Sequence, residues 1–470
     1  VLLFGSASEG LALLIFLVVA GRALGPEGFG YYGYLLSILM FVLVVTNWGL
    51  PSIVVRELAQ RPEDEARIFA SMFRIRASLA AFFFVGALFV TTLQPHAPSD
   101  RLAVTLIFLY LLFVPFDLAP LFDAHKLSRW DVPGRLSGRV ASVVVLLMLW
   151  MVKGKLTVAD VAACASLLML VNVLVAWRIS RRLGFSLRPL GPPADTRRLM
   201  RVSAYVMWGN LMLTTYLYSQ TVLLKWLSTM LETGYYSMAA RLLMPLYVLK
   251  GILYRLLLPI VSEAAYDDAA FTARLQRALP ALTLIFAPAA VLGVAGAEVV
   301  IIPIFGREYS GTILPLQIGL IHFVVTGAGS LFGTALLAAG DQRTPALGLT
   351  AGCVAGLGLS LLLIPPYGAV GAAWSAFAAA IISAWAPFPV FSRRWRLGIG
   401  WRMVRIVLSS LVGLTGFYVL AHKVMISAIA ALGVSAVIIL IGLWLSGEIS
   451  RRKLDVLISM FKKPAQNLDP

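Results

Sequence analysis

Apolar runs of about 20 residues follow one another from end to end of this chain, parted by short polar or Gly/Pro-containing stretches. A run of that length is what one helix needs to cross the hydrocarbon of a bilayer, roughly 30 Å at 1.5 Å per residue. The runs fall at 3–23, 32–55, 77–94, 102–121, 137–152, 158–177, 203–227, 236–260, 279–302, 312–338, 345–364, 370–391, 403–421 and 425–446, which makes 14. Each is longer than a membrane strand requires, and lipid tolerates no unpaired backbone, so the pattern predicts an all-α polytopic membrane protein. A hydrophobic content of 60% and a mean hydropathy of +0.88 exclude a water-soluble fold, where about 45–50% apolar residues is usual.

The basic residues give the orientation. Sorted by loop, 29 of the 39 Lys and Arg fall on one side of the expected spans, 6 on the other and 4 inside spans. Cytoplasmic loops retain Lys and Arg, so both termini are expected in the cytoplasm. The net charge of +17 is thus chiefly a topology signal, with some attraction to anionic lipid headgroups. Nucleic acid is not an expected partner, because the aromatic residues sit in the spans instead of interleaving with a basic patch. Trp150, Trp177, Trp226, Trp395, Trp401 and Trp444 stand near span ends, as an interfacial belt requires. Cys164 and Cys353 lie in separate apolar runs, and His96, His125, His322 and His422 share no metal-ligand spacing, so no metal and no cofactor is expected. The outer loops, such as 95–101 and 306–312, are about ten residues or shorter and leave an enzyme's donor and acceptor sites no housing. The apolar start at Val1, without a basic leader or a small-residue cleavage site, reads as a trimmed first helix and not as a signal peptide.

An internal repeat organises the spans. Gly30-Tyr31-Tyr32 recurs as Gly234-Tyr235-Tyr236, 204 residues later, and each triplet opens a long helix that ends near an acid and alanine, Arg56-Glu57-Leu58-Ala59 and Ser262-Glu263-Ala264-Ala265. Between the copies lies a basic stretch from Arg178 to Arg201 with Pro189, Pro192 and Pro193. The expected organisation is a six-helix lobe over 1–180, a linker over 181–202, a second six-helix lobe over 203–391, an appended helix pair over 403–446 and a basic tail over 447–470. Six helices per repeat is an even number, so the lobes should be related by a pseudo-two-fold axis along the membrane normal.

An ionisable side chain within a span marks a cavity or a partner by default. In the run at 203–227, Asn210, Thr214, Tyr218, Thr221 and Lys225 fall within about 80° of one another on a helical wheel, a polar stripe that should line water or substrate. In the next run Arg241 and Arg255 share a face about 21 Å apart along the axis. Lys250, flanked by Tyr247 and Tyr254, points elsewhere. Arg22 stands near the outer end of the first run and Arg56 near the inner end of the second. Snorkelling to the headgroups is the alternative for Arg22, Arg56, Lys225 and Arg241. Asp117, beside Pro115 and Pro120, and Glu298 are candidate coupling acids or structural partners of an Arg. The spacings of Gly327, Gly329, Gly333 and of Gly348, Gly352, Gly356 mean close helix packing.

Four motifs carry a resemblance. Leu24-Gly25-Pro26-Glu27-Gly28-Phe29-Gly30, Gly234-Tyr235-Tyr236-Ser237-Met238-Ala239-Ala240-Arg241-Leu242, Gly340-Asp341-Gln342-Arg343 and Ile364-Pro365-Pro366-Tyr367-Gly368-Ala369-Val370-Gly371-Ala372-Ala373 resemble, in order and spacing from about Leu11 to Trp395, the bacterial O-antigen and exopolysaccharide flippases. That family shares a superfamily with multidrug extruders and lipid II flippases. The resemblance implies a V-shaped pair of lobes in the bacterial inner membrane that alternates between inward- and outward-open states. Its implied cargo is a polyprenyl-pyrophosphate-linked oligosaccharide, and its implied partners are membrane lipids and other polysaccharide-assembly membrane proteins, such as a polymerase or a chain-length regulator. It implies that Arg22, Arg56 and Arg241 or Arg255 receive the pyrophosphate, while the residues themselves offer Lys225 and Lys250 as further charge and Asn210, Thr214, Tyr218 and Tyr247 for sugars, and coupling to H+ or Na+ is left open. Two departures stand out: Arg22 is followed by Ala23 where lipid II flippases carry an acid, and the first run has no acid at its middle, Glu9 lying near its start. A cation-coupled multidrug exporter is the alternative function, and a lipid II flippase the next.

Overall fold

The computed structural model describes residues 2–93, 98–185, 194–262, 268–395, 401–423 and 427–445. Among them every regular element is helical. Among the described residues nine helical segments are long and apolar enough to cross a membrane, and a shorter apolar helix lies at Ala430–Leu445. The chain divides into two compact units, Val1–Ser237 and Met238–Pro470.

Unit 1 opens with α1 (Leu2–Asn47), 46 residues that bend at Gly25, whose φ of 66° no longer belongs to the helix. Pro26 follows at once, so the second arm starts with a residue that needs no backbone donor. A second break at Trp48 and Gly49, both with positive φ, turns the chain into α2 (Leu50–Gln60). The expected run at 32–55 is therefore two helices, and Arg56 belongs to the second. After α3 (Glu65–Leu93), the expected run at 102–121 is also divided. It comprises α4 (Pro98–Phe108), α5 (Tyr110–Phe113), a 3-10 turn at Val114–Phe116 and α6 (Ala119–Ala124), with Asp117 extended between them. Pro115 and Pro120 withdraw backbone donors there and make an unbroken ladder impossible. Then come α7 (Val132–Lys153), α8 (Val158–Arg182), whose Thr157 and Asp160 form a capping box, and α9 (Thr196–Leu227), capped by Asp195. Leu50, Val54, Phe69, Met72, Leu118, Phe122 and Leu199 build an apolar core of this unit.

Unit 2 begins within α10 (Met230–Ser262). It continues with α11 (Asp268–Phe305), α12 (Ile313–Ala338), α13 (Arg343–Trp385), α14 (Phe388–Arg394), α15 (Trp401–Tyr418) and α16 (Ala428–Leu445). In α13, Gly368 takes φ 52° and ψ −127° after Pro365 and Pro366, and the two arms fold back on each other. A Cβ on Gly352 would lie 2.5 Å from Ala379 O and one on Gly356 2.7 Å from Ala379 Cβ, so the small-residue spacing is a helix-helix seam. Ala287, Ile406, Ile439 and Leu443 join α11 to α15 and α16.

Most helices overrun the apolar windows read from sequence. α3 begins at Glu65, not 77, and α9 at Thr196, not 203. Hydropathy registers the hydrocarbon-spanning part alone, while the backbone ladder continues through polar turns into the headgroup layer.

Candidate functional site

α10 carries four of the expected site residues, as many as α9, and its two faces differ. The face that carries Arg241 also carries Val248, Leu249 and Ile252, 60%, 42% and 38% exposed, all within about 80° of Arg241 around the helix. Arg241 itself is half-buried. Lys250 comes nine residues later, about 180° around the helix, on the face that packs toward α12. There its Nζ donates to Thr326 O at 3.3 Å and to Thr326 Oγ1 at 3.0 Å. Thr326 Oγ1 in turn donates to His322 O at 2.9 Å. The Tyr247 hydroxyl lies 3.4 Å from His322 Nδ1, and the Tyr254 hydroxyl donates to Gly327 O. His322 and Thr326 are buried, with the rings of Phe323 and Phe377 beside them. The side chain of Arg255 lies outside the described residues.

The polar stripe of α9 is not uniform. Asn210 is exposed, Thr214 and Thr221 are buried, and Tyr218 is half-buried. Lys225 is held by aromatic faces, its Nζ 4.4 Å from the centre of the Trp226 ring and 5.3 Å from that of Tyr34 on α1, a cation-π arrangement.

Arg22 is exposed on the first arm of α1. Arg56 is exposed on α2, 3.9 Å from Glu57, whose carboxylate makes its short bond, 2.7 Å, to Arg198. Asp117 sits in the break before α6, where its Oδ1 accepts from Ala119 N at 3.1 Å. Its carbonyl accepts from Arg76 Nη1 at 3.4 Å. Arg76, which stands just before the run expected at 77–94, is a fully buried side chain of α3. Glu298 is exposed on α11.

The structure thus brings Tyr247 and Lys250 together with His322 and Thr326, which the sequence reading passed over. The signal was there: the two are one helical turn apart in a largely apolar run, the i,i+4 spacing that stacks them on one face. Where the described residues could hold a metal through acids, His or Cys, no group of three is found.

The two copies of the repeated triplet also meet. A Cβ on Gly30 of α1 would lie 2.3 Å from Met230 O, and one on Gly234 of α10 1.9 Å from Pro26 O, so the helix starts cross in backbone contact.

Among known proteins, the model of the family described as "Polysaccharide biosynthesis protein" matches residues 1–265. No curated protein sequence matches. In fold, the chain is similar to a lipid II flippase, MurJ, in an inward closed conformation, at 14% identity and a TM-score of 0.72, covering 96% of this chain and 100% of that one. It is also similar to an inward-facing multidrug resistance MATE family transporter of the MOP superfamily, at 12% identity and a TM-score of 0.63, over 82% of this chain and 94% of that one. A MOP superfamily transporter from Pyrococcus furiosus follows at 14% identity and a TM-score of 0.53, over 83% of this chain and 92% of that one.

Proposed function

Because the chain belongs to the polysaccharide biosynthesis protein family and has the fold of MOP superfamily transporters, we propose that it is a flippase for a polyprenyl-pyrophosphate-linked oligosaccharide, carried from the cytoplasmic to the periplasmic leaflet of a bacterial inner membrane. The observation that carries this reading is the charge of α9 and α10: from Thr196 to Ser262 there are seven basic residues and one acid, Glu232. An excess of positive charge of that kind along the sequence favours an anion over the organic cations that a drug exporter would move.

A pyrophosphate cannot enter hydrocarbon without a partner for its charge, whereas a polyprenyl chain can stay in the lipid. Arg22, exposed on α1, is proposed as a receiver of the diphosphate, and so, on α10, is Arg241 or Arg255. Arg56 would meet it at the cytoplasmic end. Asn210 and Tyr218 would offer hydrogen bonds and a ring face to sugars. An inside-negative potential favours outward movement of an anion by about 2.3 kcal/mol per charge for each 100 mV or so, which supplies a driving force without a coupling acid at Asp117 or Glu298. Assembly enzymes of the same polysaccharide would be its partners.

The test is translocation of a fluorescent polyprenyl-pyrophosphate oligosaccharide in proteoliposomes, with and without the potential, beside lipid II and a cationic drug. Wild-type protein is expected to move the oligosaccharide lipid, and Arg241→Ala to slow it roughly tenfold or more, the effect of about 1.4 kcal/mol. Efflux of the drug alone would replace this reading with a multidrug exporter, and movement of lipid II alone with a lipid II flippase.

A further inference from the structure

Lys250 is not explained by an anion-receiving surface. It stands on the far side of α10 from Arg241, within unit 2, and among the described residues no carboxylate pairs with it. What holds it is a pair of neutral oxygen atoms turned toward it. Thr326 supplies two, its carbonyl at 3.3 Å and its hydroxyl at 3.0 Å. A hydroxyl has one proton, and that of Thr326 is committed to His322 O, so it is lone pairs that face Nζ. The hydroxyl proton of Tyr254 is likewise committed to Gly327 O, and the Tyr254 ring centre lies 6.0 Å from Nζ. The Tyr247 oxygen, one turn earlier, faces His322.

Carbonyl and hydroxyl oxygens with an aromatic face are the surroundings of a desolvated monovalent cation, and an ammonium group is close to potassium in size. We infer that the seam between α10 and α12 is a monovalent-cation pocket, which the chain fills with the ammonium group of its own Lys250. The tether keeps the ammonium group at the seam, and Thr326 O and Oγ1 are already engaged by it, so a free ion meets no open ligand there. The pocket is then permanently occupied, and this part of unit 2 carries no dissociable coupling ion. The inference rests on the geometry of unit 2 and not on the identity of the cargo, so it can fail while the flippase reading stands, and the reverse.

The experiment is thermal unfolding of the purified chain in lipid nanodiscs, in choline, sodium, potassium, ammonium and methylammonium chlorides. Wild-type midpoints are expected to agree across these salts. Lys250→Ala should unfold at a lower temperature in choline and recover most of the loss, saturably, with ammonium or methylammonium. Lys250→Met, which fills the space without charge, should not recover. A Lys250→Ala protein that gains no more from ammonium than wild type does, or a Lys250→Met protein that gains as much, overturns the pocket. Inorganic phosphate raising the wild-type midpoint through Lys250 overturns it too, because the ammonium would then be a receiver of anions. If Lys250→Ala is not recovered in folded form, Thr326→Val carries the test: its midpoint should fall while Thr326→Ser matches wild type, and a Thr326→Val protein as stable as wild type overturns the inference.

Discussion

One carboxylate closes the turn that starts α13. Asp341 Oδ1 accepts from the backbone of Arg343 at 3.0 Å and of Thr344 at 3.1 Å, and Oδ2 accepts from the Thr344 hydroxyl at 2.6 Å. The Thr344 hydroxyl first, then its backbone N–H, holds this carboxyl below the ordinary value of 3.8. A carboxylate depressed in the folded state contributes stability above its unfolded pKa, and the contribution disappears as pH falls through the folded value. Asp341→Ala is therefore expected to lower the unfolding midpoint at neutral pH, with the gap to wild type closing as pH drops below about 4. A gap independent of pH would mean that the side chain acts by packing. At the same scale, Lys225 shows why a basic residue near a span end is not by itself a cargo contact. The rings of Tyr34 and Trp226 already stabilise it.

At the scale of elements, breaks decide the architecture more than propensity does. Twenty residues span the membrane, so a 43-residue helix such as α13 must either protrude or turn back. Gly368 makes it turn. Its φ of 52° and ψ of −127° are closed to a residue with a Cβ at a cost of about 1–3 kcal/mol. Gly368→Ala is expected to lower stability by that order in thermal or denaturant unfolding. Gly358→Ala, in the same helix with open space around its Cβ position, should leave stability unchanged or raise it slightly. Equal effects of the two substitutions would refute a special role for the turn. The Pro-Pro-Tyr-Gly segment announced this break in the sequence, and the first arm agrees with the run at 345–364, while the run at 370–391 is divided between α13, which ends at Trp385, and α14, which starts at Phe388. Breaks at Trp48 and at Asp117 were not announced by hydropathy, because apolar residues continue on both sides of each. Proline positions gave the second away only once its neighbours were seen to leave the helix.

For the molecule as a whole, the repeated triplet has a structural reason. Gly30 and Gly234 let two helix starts cross in backbone contact, and a methyl group at Gly234 would meet Pro26 O at 1.9 Å. Gly234→Ala is expected to destabilise by about 1–3 kcal/mol, as overpacking does. Gly86→Ala, where nothing lies within 4 Å, is expected to stay within about 0.5 kcal/mol of wild type. Indistinguishable unfolding of the two variants would show that the crossing yields without strain. The sequence by itself determined that the chain is an all-helical membrane protein with small-residue seams, because apolar length, glycine and proline act locally and can be read in one dimension. It also located the cations of α10. Only the tertiary structure decided that Arg241 shares an exposed face while Lys250 is turned to His322 and Thr326, that Thr214 and Thr221 are buried, and that Arg76 lies wholly inside unit 1. The reason is physical: a membrane helix is apolar on every side, so its own sequence does not say which face meets lipid, a cavity or another helix. That choice belongs to the partner helix, which here comes from more than 70 residues away along the chain, as with Lys250 and Thr326.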